Sequence, residues 1–174
     1  MALVVEDGTG RSDAESLCSV VAATAYHAAR GAAAWAALTT EQKEQALRKA
    51  ADYCEQVYRE RWAGYRVNTT QALSWPRYEV PIKDSVSMNY GGLSYYASDA
   101  VPVIVANACA SLALRAATTD LAPDVGRVTT RERVGEIEVE YAAGAVPYAR
   151  YREIDLMLAP FLKGSAGSVM VVRA

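Results

Sequence analysis

The side chains best suited to catalysis are few and widely spaced in this sequence. His27 is the only histidine, and the cysteines Cys18, Cys54 and Cys109 lie far apart. A zinc site would need a second histidine or a C-x-x-C pair, and the sequence has neither. A nucleophilic dyad of one cysteine with His27 is an alternative that no local motif supports. We therefore expect no enzyme, no cofactor and no metal ion, and we expect the cysteines to be small buried residues.

A second chemical signal is the mixture of basic and aromatic residues between positions 58 and 83. Basic residues among aromatic ones can form a groove in which the bases of a single strand stack. The same pattern arises when arginine stems pack against rings in a protein core. We favour packing and keep single-strand binding as the alternative. The residues are Arg59, Arg61, Arg66, Arg77 and Lys83, with Tyr58, Trp62, Tyr65, Trp75 and Tyr78 among them.

Charged residues also mark a predicted β-hairpin at residues 127–141. Three glutamates alternate with apolar residues, which is typical of a half-buried strand with an acidic outer face. A metal site is an alternative use of three carboxylates, but a solvated strand face is the favoured interpretation. Two arginines precede the turn, where pairing of Arg with Glu across the strands is favourable. The residues are Arg131 and Arg133 before the turn and Glu136, Glu138 and Glu140 after it.

The composition limits the class of protein. The chain has 174 residues, of which 52% are hydrophobic, and its net charge is −2. These values exclude intrinsic disorder of the whole chain and indicate one domain with a core. A pI near 5.5 disfavours a protein with a wide basic face for nucleic acid.

The first residues carry no basic region, so we expect no signal peptide. The longest apolar run, Val101–Ala110, is too short to span a membrane.

Apolar periodicity and capping residues predict four helices. Ser19 is a suitable N-cap for the first, and Thr39 with Gln42 forms a capping box for the second. The third is apolar around most of its circumference, so we expect a neighbouring subunit to provide part of its cover. Pro160 should bend or end the fourth. The predicted helices are Ser19–Arg30, Thr39 to about Trp62, Pro102–Ala117 and Tyr151–Leu162.

These elements predict a mainly α fold, a small helical bundle of three to four helices with one β-hairpin and extended N- and C-terminal arms. Residues 1–163 form a single helical domain. The irregular segment 64–100, rich in tyrosine, is embedded in it as a contact loop. Residues 164–174 are a Gly/Ser-tethered arm that ends in the apolar strand Val169–Val172. Such a strand suits addition to the sheet edge of another chain.

Five short motifs follow one another along the chain: VEDGTG at 5–10, AYHAARG at 25–31, QALSWPR at 71–77, RVGEIEVEY at 133–141 and IDLMLAPFL at 154–162. In this order they resemble tailed-bacteriophage proteins often labelled DnaT-like single-stranded DNA-binding proteins. The layout is also similar to phage head–tail connector proteins, which are called adaptor or head-completion proteins as well. Those are small helical subunits with a hairpin that form a ring, usually of twelve, beneath the portal. Residues 84–98 depart from the pattern, because this link is longer and richer in tyrosine than usual.

The resemblance implies a structural virion protein that joins head to tail at the neck of the particle, after assembly in the host cytoplasm. Its partners would be copies of itself in a homo-oligomeric ring, the portal protein, the tail or next connector protein, and double-stranded DNA that passes through the lumen without sequence recognition. The alternative is a single-stranded DNA-binding accessory protein for phage replication, which the acidic pI disfavours. As subunit or portal contacts we predict Trp75, Arg77, Tyr90, Tyr95, Tyr96, Arg131, Arg133, Glu136, Glu138, Val169, Met170, Val171 and Val172.

Overall fold

Helices dominate the architecture of the chain. The computed structural model describes residues 2–84, 94–124, 131–134, 137–140 and 151–163. The mainly α fold is confirmed, with one short helix, α2, that the sequence did not predict. The helices are α1 (Val20–Ala28), α2 (Ala33–Ala36), α3 (Thr40–Tyr58), α4 (Val103–Ala116) and α5 (Arg152–Leu158). The strands are β1 (Tyr65–Arg66), β2 (Arg77–Tyr78), β3 (Arg131–Val134) and β4 (Ile137–Glu140), and 3₁₀ turns at Arg59–Arg61 and Ala159–Phe161 follow α3 and α5.

The first and third helices begin at the predicted caps. The Ser19 hydroxyl accepts a hydrogen bond from the Ala22 N–H at 3.1 Å. The Thr39 hydroxyl accepts from the Gln42 N–H at 3.2 Å, and the Gln42 side chain accepts from the Thr39 N–H at 2.9 Å. Gly31, with φ of 65°, follows α1 in the left-handed conformation that suits a glycine after a helix. These contacts satisfy N–H groups that a helix start leaves without partners.

Helix α4 lies at the centre of the molecule. It packs against α1, α3 and α5, and every residue from Ala108 to Ala113 is buried. Val103 and Ile104, in its first turn, remain 74% and 43% exposed. The chain's own helices supply most of the cover of α4. The part that we expected from a neighbouring subunit stays a prediction, and it concerns the residues that are left exposed. In the part of the chain that the structure describes, no helix is long and apolar enough to cross a membrane.

The N-terminal segment folds back on itself around the carboxylate of Glu6. This buried carboxylate accepts hydrogen bonds from the backbone N–H groups of Gly8, Gly10 and Arg11, each at 2.9 Å. Both glycines have positive φ angles, 99° and 76°, which L side chains rarely adopt. The Glu6 N–H donates to the carbonyl of Ser16 and ties the turn to the following chain. The predicted arm is therefore a turn packed onto the body of the protein.

The irregular segment 64–100 contributes to the core. Strands β1 and β2 pair antiparallel within it, with Tyr65 opposite Tyr78 and Arg66 opposite Arg77. The sequence did not predict this two-stranded ribbon. The buried apolar residues near it are Leu73, Trp75, Pro76 and Val80, and the Trp75–Pro76 peptide bond is cis.

Strands β3 and β4 form the hairpin predicted for residues 127–141. Their register places Arg131 opposite Glu140 and Arg133 opposite Glu138. Opposite charges at facing positions of an antiparallel pair are favourable. The expected pairing of arginine with glutamate positions is thus confirmed at the level of the register.

Several predicted contact residues lie outside the described part of the chain, as does the arm 164–174. The division into a domain and a docking arm therefore stays a prediction. The contact residues concerned are Tyr90, Glu136, Val169, Met170, Val171 and Val172.

His27 has a structural position inside the helical core, where it is 3% exposed. Its Nε2 lies 2.9 Å from the carbonyl oxygen of Ala110, which can only accept, so Nε2 donates. The imidazole ring also packs on Trp35, with ring centroids 4.7 Å apart. Burial lowers the pKa of His27, and the charge of Arg30 lowers it further, against the opposing effect of the Ala110 hydrogen bond.

This lowered pKa predicts a pH-dependent stability. Above about pH 6.5 both the folded and the unfolded chain hold His27 neutral, and its contribution is constant. Below that pH the unfolded chain binds the proton first, so the free energy of unfolding should fall as the pH drops below about 6.5. Urea denaturation followed by circular dichroism measures this fall. The variant His27→Gln removes the only histidine and should flatten the profile; an equal slope in both proteins would contradict the prediction.

Candidate nucleic-acid interface

One group of the basic and aromatic residues singled out in the sequence is buried. Trp62 and Trp75 are 1% and 0% exposed, and their rings meet edge to face with centroids 5.7 Å apart. Trp75 makes a second edge-to-face contact with Phe161, also at 5.7 Å. The ring of Tyr58 lies 6.0 Å from that of Trp62. For these residues the favoured interpretation, packing in the core, is confirmed.

Two of the basic residues bind groups of the last helix. Arg61 forms an ion pair with Asp155, with 3.7 Å between Nη1 and Oδ1. The ammonium group of Lys83 donates to the carbonyl oxygens of Ala159 and Leu162, at 3.4 Å and 3.0 Å. Cations at the carbonyl end of a helix are favourable. Both side chains therefore hold the chain after α3 against α5.

Arg77 is a buried cation that joins two distant parts of the backbone. Its Nε donates to the carbonyl of Ala63 and its Nη2 to that of Gly64, both at 2.7 Å, while Nη1 donates to that of Ser74 at 3.1 Å. The side chain is only 6% exposed. The structure gives Arg77 and its neighbour Trp75 internal roles in place of the subunit contacts that the sequence predicted for them.

The second group of residues is exposed and is centred on a tyrosine pair. Tyr65 and Tyr78 face each other across the ribbon β1–β2, with ring centroids 5.5 Å apart and ring planes at 33°. They remain 60% and 42% exposed. Gly64 precedes them with φ of 64°, and a Cβ atom there would collide with the carbonyl oxygen of Tyr78. Glycine at this position thus permits the close approach of the two strands.

The tyrosine pair lines an open groove of about 970 Å³ whose charged side chains are mainly basic. Four of them are basic and two are acidic, so the groove has a net charge of +2 although the whole chain has −2. Such a groove combines ring faces with positive charge. Its lining residues are Arg59, Glu60, Gly64, Tyr65, Arg66, Val67, Asn68, Thr69, Arg77, Tyr78, Glu79 and Lys163.

Lys163 is a groove residue that the sequence analysis missed. It lies far along the chain from the ribbon, and no motif connects the two. A backbone hydrogen bond from the Lys163 N–H to the carbonyl of Arg61, at 2.7 Å, brings it there. Its ammonium group donates to the carbonyl of Glu60 at 3.2 Å. Only the folded chain places this cation beside the ribbon.

The remaining described contact residues from the tyrosine-rich segment differ in exposure. Tyr95 is 47% exposed and does not line the groove. Tyr96 packs on the core ring of Phe161, with centroids 4.8 Å apart, and its N–H donates to the carbonyl of Val80. Of these two tyrosines, Tyr95 has the more exposed side chain.

The cysteines lie in the core, away from the groove. All three are free and buried, as the sequence analysis expected. Burial raises the pKa of Cys18 to about 12 and that of Cys109 to about 11, and it also raises the pKa of Cys54. Thiols with raised pKa values are poor nucleophiles at neutral pH. Among the described residues, no group of three or more His, Cys, Asp or Glu side chains is placed to hold a metal ion.

Fold and groove together define a small, mainly helical protein with an exposed basic–aromatic surface. The whole chain, residues 1–174, matches the family model described as "Putative DnaT-like ssDNA binding protein", and the chain belongs to this family. No curated protein and no solved structure matches the chain significantly. The family description names single-stranded DNA binding and says nothing of a head–tail connector.

The separation into buried and exposed aromatic residues predicts unequal effects on stability. Tyr65→Ala or Tyr78→Ala removes an exposed ring and should lower the free energy of unfolding by no more than about 1.5 kcal/mol. Trp75→Ala opens a cavity in the core and should lower it by about 3–5 kcal/mol. Urea denaturation of the three variants measures the difference. Equal losses for Tyr65→Ala and Trp75→Ala would show that the tyrosine pair belongs to the core.

Proposed function

We propose that this chain binds single-stranded nucleic acid in the groove beside the ribbon β1–β2, and that it does so without catalysis. The observation that carries the proposal is the exposed pair Tyr65 and Tyr78 among basic side chains. Every base has a flat ring face, so stacking on tyrosine is favourable and tolerant of sequence. The family to which the chain belongs supports the same activity.

Single strands fit this surface better than a duplex does. In a duplex each base stacks between its neighbours and offers only its edges to a protein. A single strand can turn its bases outward onto Tyr65 and Tyr78 while the basic side chains contact its phosphates. Binding should therefore prefer single strands and weaken as the salt concentration rises.

The local charge of the groove removes the objection that the sequence raised. A negative chain repels DNA at long range, but salt screens charges beyond about 8 Å under physiological conditions. At the groove itself, Arg59, Arg66 and Lys163 outweigh Glu60 and Glu79. We therefore expect binding of modest affinity with a shallow salt dependence, because few cations take part.

The test is a titration of a fluorescein-labelled oligothymidylate with the purified chain, followed by fluorescence anisotropy at several salt concentrations. Tyr65→Ala and Tyr78→Ala should each weaken binding by about fivefold to about a hundredfold, the range expected for the loss of one stacked base. An unlabelled duplex of the same length should compete poorly.

The matched control for this titration is Tyr95→Ala, which removes an exposed tyrosine outside the groove and should leave the affinity unchanged. Equal losses for Tyr95→Ala and Tyr65→Ala would contradict the placement of the site. Absence of binding by the wild-type chain at low salt would contradict the function itself.

A head–tail connector at the virion neck is the second proposal. It is supported by aliphatic side chains left exposed on the helices, with Val21 at 80%, Val103 at 74% and Leu156 at 63%. Contacts with portal or neighbouring subunits would bury such residues. Sedimentation velocity with and without the portal protein tests it. A ring that forms with the wild-type chain and is disrupted by Val103→Ser would support the connector. A chain that stays monomeric and does not bind the portal protein would contradict it.

A further inference from the structure

Two arginines of the ribbon lie at facing positions and differ in what they bind. Arg66 in β1 is directly opposite Arg77 in β2. The charge of Arg66 adds to the effect of burial and lowers the pKa of Arg77. Like charges directly opposite each other in an antiparallel pair are unfavourable. The pair therefore leaves an excess of positive charge at one place in the groove.

Arg77 is largely engaged by the protein itself. Each of its three guanidinium nitrogens already donates to a backbone carbonyl, on Ala63, Gly64 or Ser74. The side chain is buried, with only 6% of its surface exposed. Arg66 is therefore the member of the pair that is more available to a ligand.

Arg66 is the opposite case, because its guanidinium has no partner among the described residues. Its Nε is buried and makes no hydrogen bond. Neither Glu60 nor Glu79, the two carboxylates that line the groove, forms an ion pair with it. A buried N–H without an acceptor is unfavourable, and such groups in folded proteins call for an explanation. An anion that binds the guanidinium from the groove, which Arg66 lines, would balance the charge of both arginines.

We propose that the Arg66 guanidinium is a phosphate-binding site that takes one phosphodiester group of a single-stranded nucleic acid. The inference rests on the proposed function and adds to it the residue that fixes the backbone of the strand. A planar guanidinium donates two parallel hydrogen bonds to two phosphate oxygens, which gives position as well as affinity.

The position of Arg66 next to Tyr65 favours a nucleotide over other anions. Successive strand residues point to opposite faces, so the tyrosine pair and the arginine pair lie on the two sides of the ribbon. Adjacent Cα atoms are only about 3.8 Å apart, and both residues line the same groove. A single strand carries a ring and an anion in every nucleotide, so a strand that runs along the groove can stack a base on Tyr65 at one side of the ribbon and place a phosphate at Arg66 on the other.

Two probes separate the phosphate contact from the base contact. One is a labelled oligothymidylate, and the other is an abasic strand of equal length that keeps the phosphates and lacks the bases. Arg66→Gln should weaken binding of both probes about tenfold, as expected for loss of one charge-assisted contact. It should also lower the magnitude of the slope of log K against log salt by about 0.7, the value for one phosphate of a single strand.

Three further variants give the comparison its controls. Tyr65→Ala should weaken binding of the oligothymidylate and leave that of the abasic strand unchanged. Arg152→Gln removes an exposed arginine outside the groove and should change neither. Arg66→Lys keeps the positive charge but loses the planar guanidinium that can bind two phosphate oxygens. It should therefore keep the wild-type slope of log K against log salt and bind both probes with lower affinity. The melting temperature of Arg66→Gln should equal or exceed that of the wild type, because the repulsion of Arg77 is removed.

The outcomes distinguish the inference from the function on which it rests. If the wild-type chain binds both probes and Arg66→Gln binds them equally well, the phosphate site is wrong and the proposed function stands. If Arg66→Gln loses affinity for the oligothymidylate alone, Arg66 contacts a base and the inference is overturned. If the wild-type chain binds neither probe, both are overturned.

Discussion

The burial of one positive charge constrains the whole region around the groove. Arg77 lies in the core, where a cation is unfavourable unless its donors are satisfied. It meets this condition by donating to the carbonyls of Ala63 and Gly64, just after α3, and of Ser74, just before the ribbon's second strand. These hydrogen bonds hold the exit of the longest helix against the strand that carries Arg77. They therefore stabilise the position of the ribbon relative to α3.

Once the ribbon is fixed, strand geometry determines which rings are buried. Trp75 precedes β2 and enters the core, where it meets Trp62 and Phe161. Tyr78 and its partner Tyr65 lie on the outer side and stay exposed. A single stretch of mixed basic and aromatic residues is therefore divided by the fold. Some of its rings pack in the core, and the exposed Tyr65 and Tyr78 are the ones to which our proposal assigns the stacking of bases.

Local signals in the sequence were sufficient for the four longer helices and insufficient for the short α2 and for the groove. Capping by Ser19 and Thr39 and the apolar period of α3 depend on residues three or four positions apart, so they are visible without a structure. The ribbon strands have two residues each, too short for any alternation to appear. The contribution of Lys163 depends on a hydrogen bond to Arg61, about a hundred residues earlier in the chain.

The expectation that a neighbouring subunit covers α4 illustrates the limit of composition as an argument. An apolar helix must be covered, but its sequence does not say by what. Three helices of the same chain pack on it and leave its first turn most open, at Val103 and Ile104. The apolar composition of α4 is thus largely explained within one chain, and the exposed aliphatic residues are what remains as a reason for a ring subunit. Scattered exposed apolar side chains are normal on a monomer.

Net charge was an equally incomplete guide to nucleic-acid binding. The overall charge of −2 describes an average over the chain, whereas a bound strand responds to the charges within about one screening length. The paired arginines of the ribbon concentrate positive charge, and among the described residues neither of them forms an ion pair with a carboxylate. A protein of this kind gains little from long-range attraction, so its association should be slower than that of a basic protein. Its affinity must then come from short-range contacts, the stacking of bases and a directly held phosphate.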